Sequence, residues 1–307
     1  MTDRVTPRRT AADFDPEVLR LFDKYVHGVI DRRGFLDGAS KFAVGGITAA
    51  SLLAALSPDF ASAQQVARTD PRIKAETVEF PSPQGYGTGR GYLVRPASAP
   101  PTGATTTGLP LVLVIHENRG LNPHIEDIAR RLALDNFIAF APDALFPLGG
   151  YPGDEDKARE AFGKLDQAKT REDMVAAAAY LIGVPGGNGK LGAVGFCWGG
   201  STVNTLATRL PELRAAVPFY GAAPALDQVT KIKAAVLPMF ADEDERVNAT
   251  WPAYDAALKA AGVRYAAFRY PGTQHGFNND TTPRYDANAA KLAWQRTLAF
   301  FNQELRG

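Results

Sequence analysis

Residues 191–200 read Leu191-Gly192-Ala193-Val194-Gly195-Phe196-Cys197-Trp198-Gly199-Gly200. The first six are apolar or glycine, without charge or alternation, the pattern of a strand buried on both faces of a parallel sheet. The pattern that follows, Gly-x-Cys-x-Gly, leads directly into a helical stretch. A strand that turns at once into a helix needs glycine where the two backbones cross. The turn lifts the residue between the glycines above the carboxyl edge of the sheet. Cys197 is therefore a candidate nucleophile, with its thiol at a helix N-terminus whose dipole favours a thiolate. Lone thiols more often end as small buried hydrophobes, but the flanking glycines and the strand–turn–helix context argue against that here. Cys197 is the single cysteine of the chain, so an internal disulfide and a cysteine-rich zinc site are excluded.

Outward from this strand the chain alternates. Apolar runs recur at 77–80 (TVEF), 91–94 (GYLV), 111–116 (LVLVIH), 137–142 (FIAFAP), 215–220 (AAVPFY), 234–240 (AAVLPMF) and 265–270 (YAAFRY). Helical stretches lie at 124–135, 155–165, 168–184, 200–209, 250–261 and 286–304. This alternation predicts right-handed crossovers and a doubly wound, mainly parallel α/β sheet. The first two runs are joined by PSPQGYGTGRG (81–91), which predicts an N-terminal antiparallel hairpin at the sheet edge. Residues 96–109 read as a polar surface loop, and residues 64–307 as one domain without repeats.

A thiol nucleophile needs a base, and the base an orienting acid. On a sheet of this kind they follow in the order nucleophile, acid, histidine. Of the four histidines, His27, His116, His124 and His275, only His275 lies beyond Cys197, in the glycine-containing YPGTQHGF (270–277). The acid belongs in ADEDERV (241–247), where Asp244 and Asp242 compete. The loop HENRGLN (116–122) ends the strand LVLVIH. There the backbone N–H of Asn118 can join that of Trp198 around a developing oxyanion. Glu117 is unusual: a carboxylate beside the nucleophile opposes a resting thiolate but can take its proton when substrate arrives. The plainer reading is a structural Glu that ties down the loop. His116 reads as a satisfied strand-end histidine and His124 as a cap or surface residue. Their spacing matches no metal-ligand pattern, so no metal is expected.

The motifs GFCWGG (195–200), HENRGLN, ADEDERV and TQHGF (273–277) together resemble the dienelactone hydrolase family (carboxymethylenebutenolidases), a cysteine-nucleophile branch of the α/β-hydrolases. The resemblance covers residues 75–305. It implies the α/β-hydrolase fold and a triad of Cys197, Asp244 and His275, with Asp244 chosen by its place three residues before Val247. It also implies Glu117 as partner of the resting thiol, Arg159 of DEDKARE (154–160) on a substrate carboxylate, and Trp198 and Tyr220 at the pocket wall. One position departs. Members acting on dienelactone carry a second arginine four residues after the catalytic histidine, where this chain has Asn279. The implied activity is hydrolysis of a small-molecule ester or lactone through an acyl-thioester, without a cofactor. A catalytically silent binding protein on the same scaffold is one alternative. A thiol redox enzyme is another, although a resolving cysteine is missing.

The N-terminus reads as an address. DRRGFLD (31–37), the weakly apolar FAVGGITAASLLAAL (42–56) and Ala61-Ser62-Ala63 follow the order of a twin-arginine export signal, which would place the protein in the periplasm or outside the cell. The apolar stretch is too short for a stable membrane span, which takes about 20 apolar residues. The alternative is a retained helical arm over 14–56 on a cytoplasmic protein, because DFDPEVLRLFDKYVHGVI (13–30) has helical periodicity and an Asp cap. Composition narrows the partners. With 34 Lys and Arg against 33 Asp and Glu over 307 residues, the net charge is +1, and no global field draws the chain to nucleic acid. Nothing in the pattern sets an oligomeric state.

Overall fold

The apolar runs become the strands of one nine-stranded sheet in a computed structural model that describes residues 9–98 and 108–306. In chain order the strands are β1 (Ile73–Ser82), β2 (Gly87–Pro96), β3 (Leu109–Ile115), β4 (Ile138–Pro142), β5 (Gly187–Phe196), β6 (Leu213–Phe219), β7 (Ala235–Val236), β8 (Met239–Glu243) and β9 (Phe268–Gln274). Their spatial order is β1-β2-β4-β3-β5-β6-β8-β9, with β7 paired to β6. The hairpin β1–β2 and the β2–β4 pair are antiparallel and every other pair is parallel. The expected surface loop 96–109 falls largely on residues 99–107, outside the described residues.

Helices cover both faces, which is why the central strands carry no polar alternation. Pro123–Leu134 and Ala287–Arg306 lie on one face. Gln167–Ile182, Trp198–Arg209 and Trp251–Ala260 lie on the other. Along β3, Leu111, Leu113 and Ile115 enter one core while Val112 and Val114 enter the other, as a side-chain period of two demands.

Two strands depart from the sequence reading. The run 234–240 breaks at Pro238, which has no N–H for the ladder, and resumes as β8 out to Glu243. At the far edge Tyr265 keeps only an isolated bridge to Val236, while β9 itself runs on to Gln274. Both shifts carry the strand ends forward, directly up to Asp244 and His275.

The N-terminal segment is folded. It forms α1 (Pro16–Val26), α2 (Arg32–Ala39), α3 (Ala49–Leu56) and α4 (Phe60–Ala63). Asp15 caps α1 by accepting from Glu17 N at 2.8 Å, and Asp31 caps α2 by accepting from Gly34 N at 2.7 Å, so Arg32 and Arg33 open a helix. The apolar stretch 42–56 is helical only over α3. Among the described residues no helix is long and apolar enough to cross a membrane. The arm has its own core, in which Val18, Leu19, Phe22, Tyr25, Phe35, Leu53 and Leu56 are buried. Behind it, Asp127 accepts from Gln65 N and Val66 N, which fastens the start of the sheet domain to the helix Pro123–Leu134.

Phe35 is fully buried in the arm and packs edge-on to Phe22. Phe35→Ala should cost the arm about 3–5 kcal/mol. Limited proteolysis is expected to cut this variant within residues 10–63 while the sheet domain survives at its wild-type melting temperature.

Candidate active site

The elbow is built by close approach. A Cβ on Gly195 would stand 2.2 Å from Gly199 O, and one on Gly199 would stand 2.2 Å from Ile115 O. Only glycine lets the helix beginning at Trp198, here α8 (Trp198–Arg209), press against β3 and β5. Cys197, at the turn, is held at φ 56° and ψ −113°, a strained conformation for an L-residue, and its side chain is 9% exposed. Trp198 opens the helix, so its N–H has no partner within the helix.

Asp244 follows β8 and caps the short helix Glu245–Asn248, accepting from Val247 N at 3.2 Å. Its other oxygen accepts from His275 Nδ1 at 2.5 Å. The runner-up, Asp242, is exposed and accepts from Gly272 N at 3.2 Å instead. His275 Nε2 is thus turned toward Cys197. Tyr220, 1% exposed, packs its ring 4.9 Å from that of His275, finds no hydrogen-bond partner for its hydroxyl among the described residues, and does not line the cavity described below.

The sequence reading missed His27. It ends α1 and enters the site from the arm, with Nε2 3.6 Å from Cys197 Sγ and 3.3 Å from His275 Nε2. Its Nδ1 donates to Asp23 O at 2.8 Å and lies 3.2 Å from Asp23 Oδ1, while Arg246 Nη2 lies 3.2 Å from its Nε2. The i,i+4 pair Asp23–His27 on an amphipathic helix was the available sequence signal, but nothing local says that it meets a cysteine 170 residues away.

The last carbonyls of α1 also accept from side chains of the site. Val26 O accepts from Asn118 Nδ2 at 3.0 Å and Arg119 Nη2 at 3.1 Å, and Tyr25 O accepts from Arg159 Nη1 at 2.6 Å. Arg159, expected on a substrate carboxylate, is therefore held by the arm, with its guanidinium also 4.3 Å over the Tyr25 ring. Arg284 reaches Asp23 Oδ1 at 3.5 Å. Below the arm lies a cavity of ≈ 350 Å³ whose lining includes His27, Glu117, Arg119, Cys197, His275 and Arg284.

Other expectations resolve here. The hydrogen-bond partners at the thiol are His27 and His275, whereas the carboxylate of Glu117, assigned to the resting thiol by resemblance, accepts from Asn279 Nδ2 at 3.1 Å. Asn279, where an arginine was expected, thus holds Glu117. Trp198 stacks on His116 at 5.4 Å and is not a cavity wall. His116 is buried and satisfied, donating to Glu117 O and accepting from Ala144 N. His124 corrects the reading of a cap or surface residue: Asn122 caps that helix, and His124 is buried 3.1 Å from Asp280 Oδ1.

Burial alone would keep the Cys197 thiol neutral. His275 and the hydrogen bond from His27 outweigh it and bring the thiol down to about 6. Burial would likewise lower His275, but Cys197 and Asp244 raise it to about 10. Both shifts favour a thiolate beside an imidazolium.

Sheet order, elbow, and an acid and a histidine on successive later strand ends define an α/β-hydrolase with cysteine at the nucleophile position. A sequence model of the dienelactone hydrolase family matches residues 90–305, and the chain belongs to that family; it is a hydrolase. A second, short model described as YqhI-like matches residues 6–44, which include α1 and α2. One relative is "Putative hydrolase fragment YghX" of Escherichia coli, 52% identical over 120 residues, 39% of this chain and 97% of that protein. Another is "Putative carboxymethylenebutenolidase" of Synechocystis, 31% identical over 234 residues, 70% of this chain and 92% of that protein. A crystal structure titled as a "Putative Dienelactone Hydrolase" from Klebsiella pneumoniae superposes with a TM-score of 0.64 at 29% identity, over 75% of this chain and 99% of that one.

Because the folded thiol sits below its ordinary value, the thiolate persists at neutral pH and is lost as pH falls through about 6. His27→Ala removes one stabilising hydrogen bond and should move this midpoint upward. Thiolate ultraviolet absorbance, followed against pH in both proteins, reads the shift.

Proposed function

We propose that the chain hydrolyses a carboxylic ester or lactone by covalent catalysis at Cys197. The observation that carries this reading is the Asp244–His275 hydrogen bond, which aims Nε2 at a sulfur held on a strained elbow. The sulfur attacks the carbonyl carbon, and the N–H groups of Trp198 and Asn118 hold the oxyanion. His275 gives its Nε2 proton to the leaving alkoxide, and an acyl-thioester remains. A water then gives a proton to His275 and attacks the thioester, which releases the acid and restores the thiolate. Asp244 fixes the tautomer throughout.

Substrate has to displace the end of α1, since His27 occupies the approach to the sulfur. Opening frees the guanidinium groups of Arg119, Arg159 and Arg284 from Val26 O, Tyr25 O and Asp23. Three cations released together favour an acyl compound with a carboxylate close to the scissile bond. With Asn279 engaged by Glu117, the substrate is not held from that side as dienelactone would be.

A panel of p-nitrophenyl esters and lactones tests this. Cys197→Ala should retain the fold and less than a tenth of wild-type turnover. Asp244→Asn should cost about 10⁴ in turnover, as in serine proteases, while Asp242→Asn leaves it nearly unchanged. The reverse order for the two acids, or an active Cys197→Ala, contradicts the triad. A silent binding scaffold would show no turnover at all.

The same reading favours a retained arm over a removed leader, because residues 14–56 carry a buried core and cover the site. N-terminal sequencing of protein from the native host is expected to find residues 14–56 retained. A start near Gln64 would mean export and an uncovered site.

A further inference from the structure

The geometry points to a zinc site in the closed active centre, made by Cys197 Sγ, His275 Nε2 and, from the arm, His27 Nε2. These three ligand atoms lie within 4.8 Å of one another and come from three distant parts of the chain. Two measured edges are 3.3 Å between the imidazole nitrogens and 3.6 Å from His27 Nε2 to the sulfur. A tetrahedral zinc, with Zn–N of about 2.0–2.1 Å and Zn–S of about 2.3 Å, would set nitrogens about 3.3 Å apart and nitrogen from sulfur about 3.6 Å apart. Two of the three edges therefore already match the coordination sphere, and the third, from Cys197 Sγ to His275 Nε2, lies within 4.8 Å.

The hydrogen bonds on the far side of each ring fit the same purpose. His27 gives its Nδ1 proton to the backbone carbonyl of Asp23, whose Oδ1 lies 3.2 Å from the same nitrogen, and His275 gives its Nδ1 proton to the Asp244 carboxylate. Each ring thus turns an unprotonated Nε2 toward the common point once a metal is bound. A carboxylate behind a ligating imidazole is the usual support of a zinc ligand, fixing its tautomer and orientation. One thiolate and two imidazoles suit zinc by softness and leave a fourth position for water.

One contact competes. Arg246 Nη2 lies 3.2 Å from the same His27 Nε2, and its exposed side chain has to swing into solvent when the metal enters. Zinc bound here takes the sulfur and the imidazole nitrogen that hydrolysis uses, and it ties α1 to the elbow. The closed arm becomes a metal-latched resting state whose release restores the hydrolase. The site stands whether or not the chain cleaves esters.

The test uses the reduced, chelator-treated full-length chain titrated with Co²⁺ as the spectroscopic stand-in, then with Zn²⁺. The expected result is a thiolate-to-cobalt charge-transfer band with tetrahedral d–d bands at one metal per chain, displaced by equimolar zinc. His27→Gln should weaken binding by more than the roughly 10–100-fold of losing an outer-shell partner, with helical circular dichroism showing that the arm still folds. Arg246→Ala should tighten it. Zinc should suppress ester turnover of the wild type and lose that effect in His27→Gln, each compared with its own metal-free rate. An absent band, or one unchanged in His27→Gln, overturns the site. Absent ester turnover in metal-free wild type, with the band intact, overturns the hydrolase reading and leaves the metal site standing.

Discussion

The structure depends on one close backbone approach. Gly199 lies so near Ile115 O that any side chain there would strike the sheet, and Gly195 lies as near to Gly199 O. That packing drives the N-terminus of α8 into the carboxyl edge and leaves Cys197 in a strained turn with its sulfur above the sheet. Every other functional element is placed relative to that sulfur: β8 delivers Asp244, β9 delivers His275, and the end of α1 delivers His27.

The arm converts this open-faced arrangement into a closed one. Its contacts are those of a helix C-terminus seeking donors, and the site supplies Asn118, Arg119 and Arg159. The negative end of α1 and the Asp23 carboxylate together offer the guanidinium groups what an anionic substrate would offer them. On the proposed reading, the arm and an anionic substrate compete for one set of cations, and their relative affinity sets closure.

Much of the sheet was legible because buried parallel strands read as unbroken apolar runs, as in LVLVIH and LGAVGF. The elbow was legible because only glycine fits at positions 195 and 199, on either side of the turn. His275 followed from chain order. What stayed hidden depends on contacts across long separations. His27 looks like an ordinary helix-end histidine, and its meeting with His275 spans 248 residues. Arg159 was assigned to a substrate carboxylate by resemblance, and that α1 would occupy it was not readable from DEDKARE. His124 looked exposed because its partner, Asp280, comes from the far loop after His275. The break at Pro238 was visible in the residue itself, since a proline inside an apolar run cannot complete a ladder.

The central claim is that α1 closes the site by seating His27 against Cys197 and His275. Amide hydrogen exchange across residues 16–27, before and after alkylation of Cys197, tests it most directly. Protected amides in the resting protein that become exchangeable once an alkyl group takes the place of His27 are the predicted result. Exchange that is fast from the start, or protection that alkylation leaves unchanged, would contradict it.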